Sequence, residues 1–186
     1  MDELRLFYAC PLPPEALHAL TALQQEIRRA GWTGRFTDRT AWHITLFFLG
    51  ATAKELLPDL ERAGSIAARE FGPITLRVAG LTAFPSVQRG RPRVLAARLH
   101  DPGGRLQRLR QSLQEALQLD DDRPYRPHVT LLRVGRDTRL PPLPQAASAA
   151  SSFAINRLVL YESLLMPAGA RYQIRGAWTL KPSRID

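Results

Sequence analysis

Residues 42–50 read WHITLFFLG and residues 127–135 read PHVTLLRVG, so a chain of 186 residues writes His-x-Thr-Leu at 43–46 and again at 128–131. Each copy sits in a run of apolar and β-branched residues that predicts a strand. Alternate side chains of a strand share a face, which sets His43 and Thr45 against Ile44 and Leu46, and His128 and Thr130 against Val129 and Leu131. Each copy therefore reads as a polar face backed by a core face. If an approximate two-fold relates the halves, the two strands bring two imidazoles and two hydroxyls to one cleft, a constellation suited to a phosphate.

Outward from these strands, the chain alternates strands and helices. Residues 4–10 predict a strand, followed by a helix whose start is marked by prolines, whose apolar side carries Leu17, Leu20, Leu23 and Ile27, and whose stop is Gly31. Residues 42–49 predict a strand and 53–70 a helix that Pro58 forces to start late or kink. Residues 74–80 and 93–99 predict paired strands around a loop with Arg89, Arg91 and Arg93. Leu106, Leu109, Leu113 and Leu117 mark the clearest helix. Strands are expected at 128–134, 153–162 and 171–180, with a Pro-, Ala- and Ser-rich loop over 136–152. Two similar halves of this kind give an α+β fold class. They form a single domain over residues 1–186.

Composition bounds the function. The chain is long enough for one well-packed unit of two lobes. Its formal charge is +9, and the positive side is nearly all arginine, Lys54 and Lys181 being its lysines. Planar guanidinium groups suit bidentate contacts with phosphate. Cys10 is the single cysteine, which excludes an intramolecular disulfide and a CxxC motif; inside LRLFYAC it reads as a buried strand residue. The N-terminal residues carry charges where a signal peptide has its apolar core, and no stretch of eighteen apolar residues occurs, so a cytoplasmic protein is expected.

The residue types suggest the chemistry. Imidazole titrates near neutrality, so of two histidines flanking a phosphorus atom one can activate the attacking oxygen while the other protonates the leaving oxygen. Threonine hydroxyls can hold the non-bridging oxygens. No metal or other cofactor is required. A single His-x-Thr is a weak signal, but two copies in equivalent settings use half of the four histidines. A zinc site lacks a third ligand at readable spacing. Asp120, Asp121 and Asp122 read as a solvated loop, His18 as a helix surface residue and His100 as a turn residue.

The two HxTx motifs resemble those of the 2H phosphoesterase superfamily, in particular its RNA 2′,3′-cyclic phosphodiesterases, also called 2′-5′ RNA ligases. The resemblance extends to RLFYACPLP, LTAFPSVQRGRPRVLAARL and LVLYESLLMPAGARYQI. It implies a bilobal fold of mainly antiparallel sheets with helices outside and a central cleft. It further implies that His43 is the proton donor to the ribose leaving oxygen, that His128 is the proton acceptor that activates water, and that Thr45 and Thr130 bind phosphate. The implied reaction opens an RNA 2′,3′-cyclic phosphate to a 2′-phosphomonoester. Phe47 stands where the family often has an arginine, and strict alternation places it beside His43 and Thr45. Arg126 precedes the second motif and offers a positive charge. Arg133 matches an arginine that commonly follows that motif, although strict alternation aims it away from His128 unless a bulge reorients it. With Arg123, the arginines favour RNA as partner; the protein is expected to be a monomer. Alternatives in the same site are 2′-5′ ligation, hydrolysis of another nucleotide cyclic phosphate, and non-catalytic binding of RNA ends.

Overall fold

The computed structural model describes residues 2–87, 90–119, 121, 124–135, 140–144, 152–166 and 169–181. Arg89, Arg123, Asp120, Asp122 and most of the 136–152 loop lie outside the described residues. In chain order the elements are β1 (Glu3–Pro11), α1 (Pro14–Arg29), β2 (Gly34–Phe36), β3 (His43–Ala53), α2 (Leu57–Arg69), β4 (Ile74–Phe84), β5 (Val94–His100), α3 (Arg105–Leu117), β6 (His128–Val134), β7 (Ser152–Ile155), β8 (Arg157–Met166) and β9 (Gly169–Thr179).

Local chemistry explains the helices. α1 starts at Pro14, where a missing N–H costs nothing, and buries Ala16, Leu20, Leu23 and Ile27. Pro58 likewise falls in the first turn of α2, so the helix begins at Leu57 after a short 3₁₀ turn over Lys54–Leu56. That is the late start the sequence predicts. On the buried face of α2, Gly64 leaves room for the Trp178 ring, which an added Cβ would strike. α3 buries Leu106, Leu109 and Leu113, and the Asp101 carboxylate accepts from the amides of Arg105, Leu106 and Gln107 at its start.

The strands form two antiparallel sheets, one in the order β3-β1-β8-β9 and the other β2-β6-β5-β4-β7. The expected α+β fold of two lobes is thus present. The units β1-α1-β3 and β5-α3-β6 correspond: in each, a helix joins two adjacent antiparallel strands and the second strand begins with the motif histidine. The lobes are nevertheless interlaced. β2 joins the second sheet, α1 packs on β4, β6 and β7, and α2 packs on β8, β9 and α3.

Two expectations need correction. The strand predicted over 153–162 is two strands in different sheets, β7 beside β4 and β8 beside β1. Exposed Asn156 and Arg157 mark the crossing, and apolar content continues on both sides of it. β2 was not anticipated, because three residues with two exposed carry no periodic signal.

Each motif strand is bulged at the same place. Tyr8 faces Phe47 and Ala9 faces Thr45, which leaves Leu46 unpaired in the ladder. Leu95 faces Leu132 and Ala96 faces Thr130, which leaves Leu131 in the same position. An extra residue reverses the alternation beyond it. Phe47 and Leu132 therefore turn into the core, and Phe48 and Arg133 turn outward.

Candidate active site

Between the two motif strands lies a cleft of about 760 Å³. Both histidines and both threonines of the motifs line it, together with Arg133. His43 and His128 open their strands, where the chain enters the ladder from a loop, and this lets each ring bond backward. Nδ1 of His43 lies 2.8 Å from the Ala41 carbonyl oxygen, and Nδ1 of His128 lies 2.7 Å from that of Arg126. Each carbonyl accepts from Nδ1–H two residues downstream, which leaves Nε2 as the nitrogen available to exchange a proton.

The two rings differ in their surroundings. His43 packs against Phe7 at 5.0 Å between centroids and against the edge of Tyr172 at 5.1 Å, with Tyr161 at 6.3 Å. Burial among these rings pushes its pKa down to about 4; the bond to the Ala41 carbonyl opposes that shift, and the charges of His128 and Arg133 add to it. That both histidines and both threonines line one cleft places the two motifs at a single site. His128 has Phe84 at 4.8 Å.

The bulges are held by one side chain from each of α3 and α1, with loop groups beside them. Arg110, 5% exposed, donates from Nε to the Leu46 carbonyl (3.2 Å), from Nη1 to Gln114 (2.9 Å) and from Nη2 to the Asp121 carboxylate (2.8 Å). The Tyr125 hydroxyl donates to the Thr45 carbonyl at 3.0 Å. On the other strand, the Leu131 carbonyl accepts from the Thr37 amide (3.0 Å) and from Gln24 Nε2 (3.0 Å).

Three sequence expectations change here. Phe47 is buried in the core near the Arg110 guanidinium and does not line the cleft; the bulge at Leu46 gives that place to Phe48, which is 69% exposed. Arg126 is exposed and its side chain is not among the cleft walls; it contributes the carbonyl that orients His128. Asp121 is no solvated loop residue but one half of a buried ion pair. Arg133 reaches the cleft by way of the bulge at Leu131. Arg91 and Arg93 are exposed and do not line the cleft; His18 is exposed as expected, and His100, expected in a turn, is instead the exposed last residue of β5, opposite Arg77. Cys10 is fully buried, and burial raises its thiol pKa.

Sequence reasoning missed Phe48, Tyr172, Arg5, Arg35 and Asp38, all of which line the cleft. A signal existed for Phe48. Four residues after each histidine both copies are apolar, Phe47 and Leu132, and only the fifth differs in kind, Phe48 against Arg133. Among the described residues, no group of three or more His, Cys, Asp or Glu side chains could hold a metal ion. No helix among them is long and apolar enough to cross a membrane.

Two antiparallel lobes that each contribute a His-x-Thr strand to one cleft define the 2H phosphoesterase class. A family model for the 2′-5′ RNA ligase superfamily matches residues 12–165, and the chain belongs to that family. It is 32% identical over 189 residues to an RNA 2′,3′-cyclic phosphodiesterase of Thermus thermophilus, covering 96% of this chain and 91% of that one. Its fold matches the crystal structure of the Thermus thermophilus protein TT0787 with a TM-score of 0.82 at 31% identity, over 97% of this chain and 100% of the other. The structure of Escherichia coli LigT complexed with phosphate matches with a TM-score of 0.66 at 25% identity, over 97% and 99% of the two chains.

Proposed function

We propose that this protein opens RNA 2′,3′-cyclic phosphate ends to 2′-phosphomonoesters, with no metal or cofactor in any step. The observation that carries this reading is the convergence of two His-x-Thr strands on one cleft, each imidazole fixed by a backbone carbonyl so that Nε2 is its working nitrogen. The family membership and the activity named for the Thermus relative support it.

In the proposed step, His128 takes a proton from water and the water oxygen attacks phosphorus opposite the 3′ oxygen. The bond to that oxygen breaks as His43 protonates it, which leaves a 2′-phosphate and a 3′-hydroxyl. Thr45 and Thr130 donate to the non-bridging oxygens, where negative charge collects. In the free protein His43 is neutral at pH 7, since its pKa is about 4. The negative charge of the bound cyclic phosphate favours its protonated form and raises that pKa in the complex. On this reading residues 1–186 act as one catalytic domain of two lobes, working as a monomer on cytoplasmic RNA, because a single chain supplies both motifs.

Substituting each histidine tests the roles. His43→Ala and His128→Ala should each slow turnover by roughly a hundredfold or more, as the loss of a general acid or base does. A cyclic substrate with sulfur at the 3′-bridging position needs no proton on its leaving group. It should restore His43→Ala substantially and His128→Ala hardly at all. Restoration of His128→Ala would exchange the roles, and restoration of neither would mean that His43 does not protonate the leaving atom.

A further inference from the structure

Arg35 of β2 stands directly opposite Arg133 of β6 in the antiparallel register, and both side chains line the cleft. Like charges facing each other across a ladder are destabilising unless something lies between them. Neither guanidinium has an ion-pair partner among the described residues. The approach depends on the residue before Arg35. Gly34 has φ +143, and a Cβ there would collide with the Arg133 carbonyl oxygen, so glycine is what lets β2 lie against β6 at this point.

Among the described residues, the charged side chains of the cleft, apart from its histidines, are Arg5, Arg35, Arg133 and Asp38. The Asp38 carboxylate is engaged by the amide and hydroxyl of Thr40, at 2.8 and 2.6 Å. Two of the three cleft arginines, Arg35 and Arg133, therefore stand side by side on the β2–β6 side. The wall from the other sheet carries Arg5 of β1 and the apolar side chains of Phe48, Leu165 and Met166, the first two of these 69% and 68% exposed. A phosphate suits the first wall and a base the second.

Thr130 and Arg133 are three residues apart on β6, about 10 Å at strand rise. Arg133 lines the same cleft as His43 and His128 and so stands at the edge of the reacting centre, and Arg35 lies one strand further out. Placing the cyclic phosphate between His43 and His128 takes the phosphodiesterase reading as given. We infer that Arg35, with Arg133 beside it, binds a second phosphate, the internucleotide phosphate on the 5′ side of the terminal nucleotide, and so makes oligonucleotide ends better substrates than mononucleotides.

The test is calorimetric binding to three product-like ligands at low salt: a nucleoside 2′-phosphate, the same compound with a 5′-phosphate, and a dinucleotide ending in a 2′-phosphate. Wild type should bind the second and third at least tenfold more tightly than the first. Arg35→Gln should abolish that gain while weakening the first ligand less than about threefold. The dinucleotide's salt slope should fall by about 0.7, the loss of one phosphate contact to a single strand. Equal binding of all three ligands by wild type overturns the subsite. So does Arg35→Gln weakening all three equally, which would place Arg35 on the 2′-phosphate, or a gain for the 5′-phosphorylated mononucleotide with none for the dinucleotide. Turnover of the dinucleotide's cyclic form is measured separately; its absence refutes the phosphodiesterase reading and leaves the binding result standing.

Discussion

In β3 the carbonyl of the bulged Leu46 is held by the buried guanidinium of Arg110, whereas in β6 the carbonyl of the bulged Leu131 is held by the neutral amide of Gln24. Beyond the bulges, β3 presents Phe48 to the cleft and β6 presents Arg133. Beside the motifs, His43 sits among Phe7, Tyr161 and Tyr172, and His128 has Phe84. The backbone is thus repeated while the chemistry around it is not. Two histidines placed alike on their strands are told apart by what packs on them, and burial among aromatic rings lowers the pKa of His43.

The largest effect should appear in the pH dependence of the remaining histidine. In His128→Ala only His43 titrates of the pair, and kcat/KM reports the free enzyme. If His43 gives up a proton, residual kcat/KM falls about tenfold per pH unit above its pKa, which stays depressed in this variant because burial, the main cause, is unchanged. A residual activity that instead rises through pH 4 and levels off would make His43 the acceptor and reverse the comparison.

A second contrast concerns the two clamps. Arg110→Met breaks a buried ion pair and leaves the Leu46 carbonyl without its donor, at a cost of about 3–5 kcal/mol. Gln24→Leu removes a neutral donor from a carbonyl that keeps the Thr37 amide, at a cost of about 1–2 kcal/mol. Denaturant midpoints at unchanged slope would measure both. Equal costs would mean that the two bulges are held alike and that charge adds nothing at the first.

Much of this was legible in the sequence, and the limits have physical causes. The repeated His-x-Thr-Leu marked both strands and all four cleft side chains of the motifs, because a two-residue period survives in four residues. Leu106, Leu109 and Leu113 marked α3 by spacing alone. Phe47 was misplaced because a bulge inserts one residue without changing composition, and alternation is then counted from the wrong side. Asp121 looked solvated because its partner, Arg110, lies on a helix whose periodic leucines hide a buried cation. Arg35 was invisible because the three residues of β2 carry no pattern, and the register that sets it against Arg133 is a long-range fact.

The crosswise clamps also bear on what happens when the chain is cut. α1, from the first strand-helix-strand unit, supplies Gln24 to the strand of the second, and α3, from the second, supplies Arg110 to the strand of the first. Severed between β4 and β5, the protein would yield an N-terminal fragment without its own guanidinium clamp and a C-terminal fragment without its own amide clamp. Each piece would carry the part the other lacks, so recovered turnover on mixing would count reassembled molecules and nothing else. The same fold that encloses a cleft thereby serves as a two-part lock, in which neither fragment sets its own motif strand.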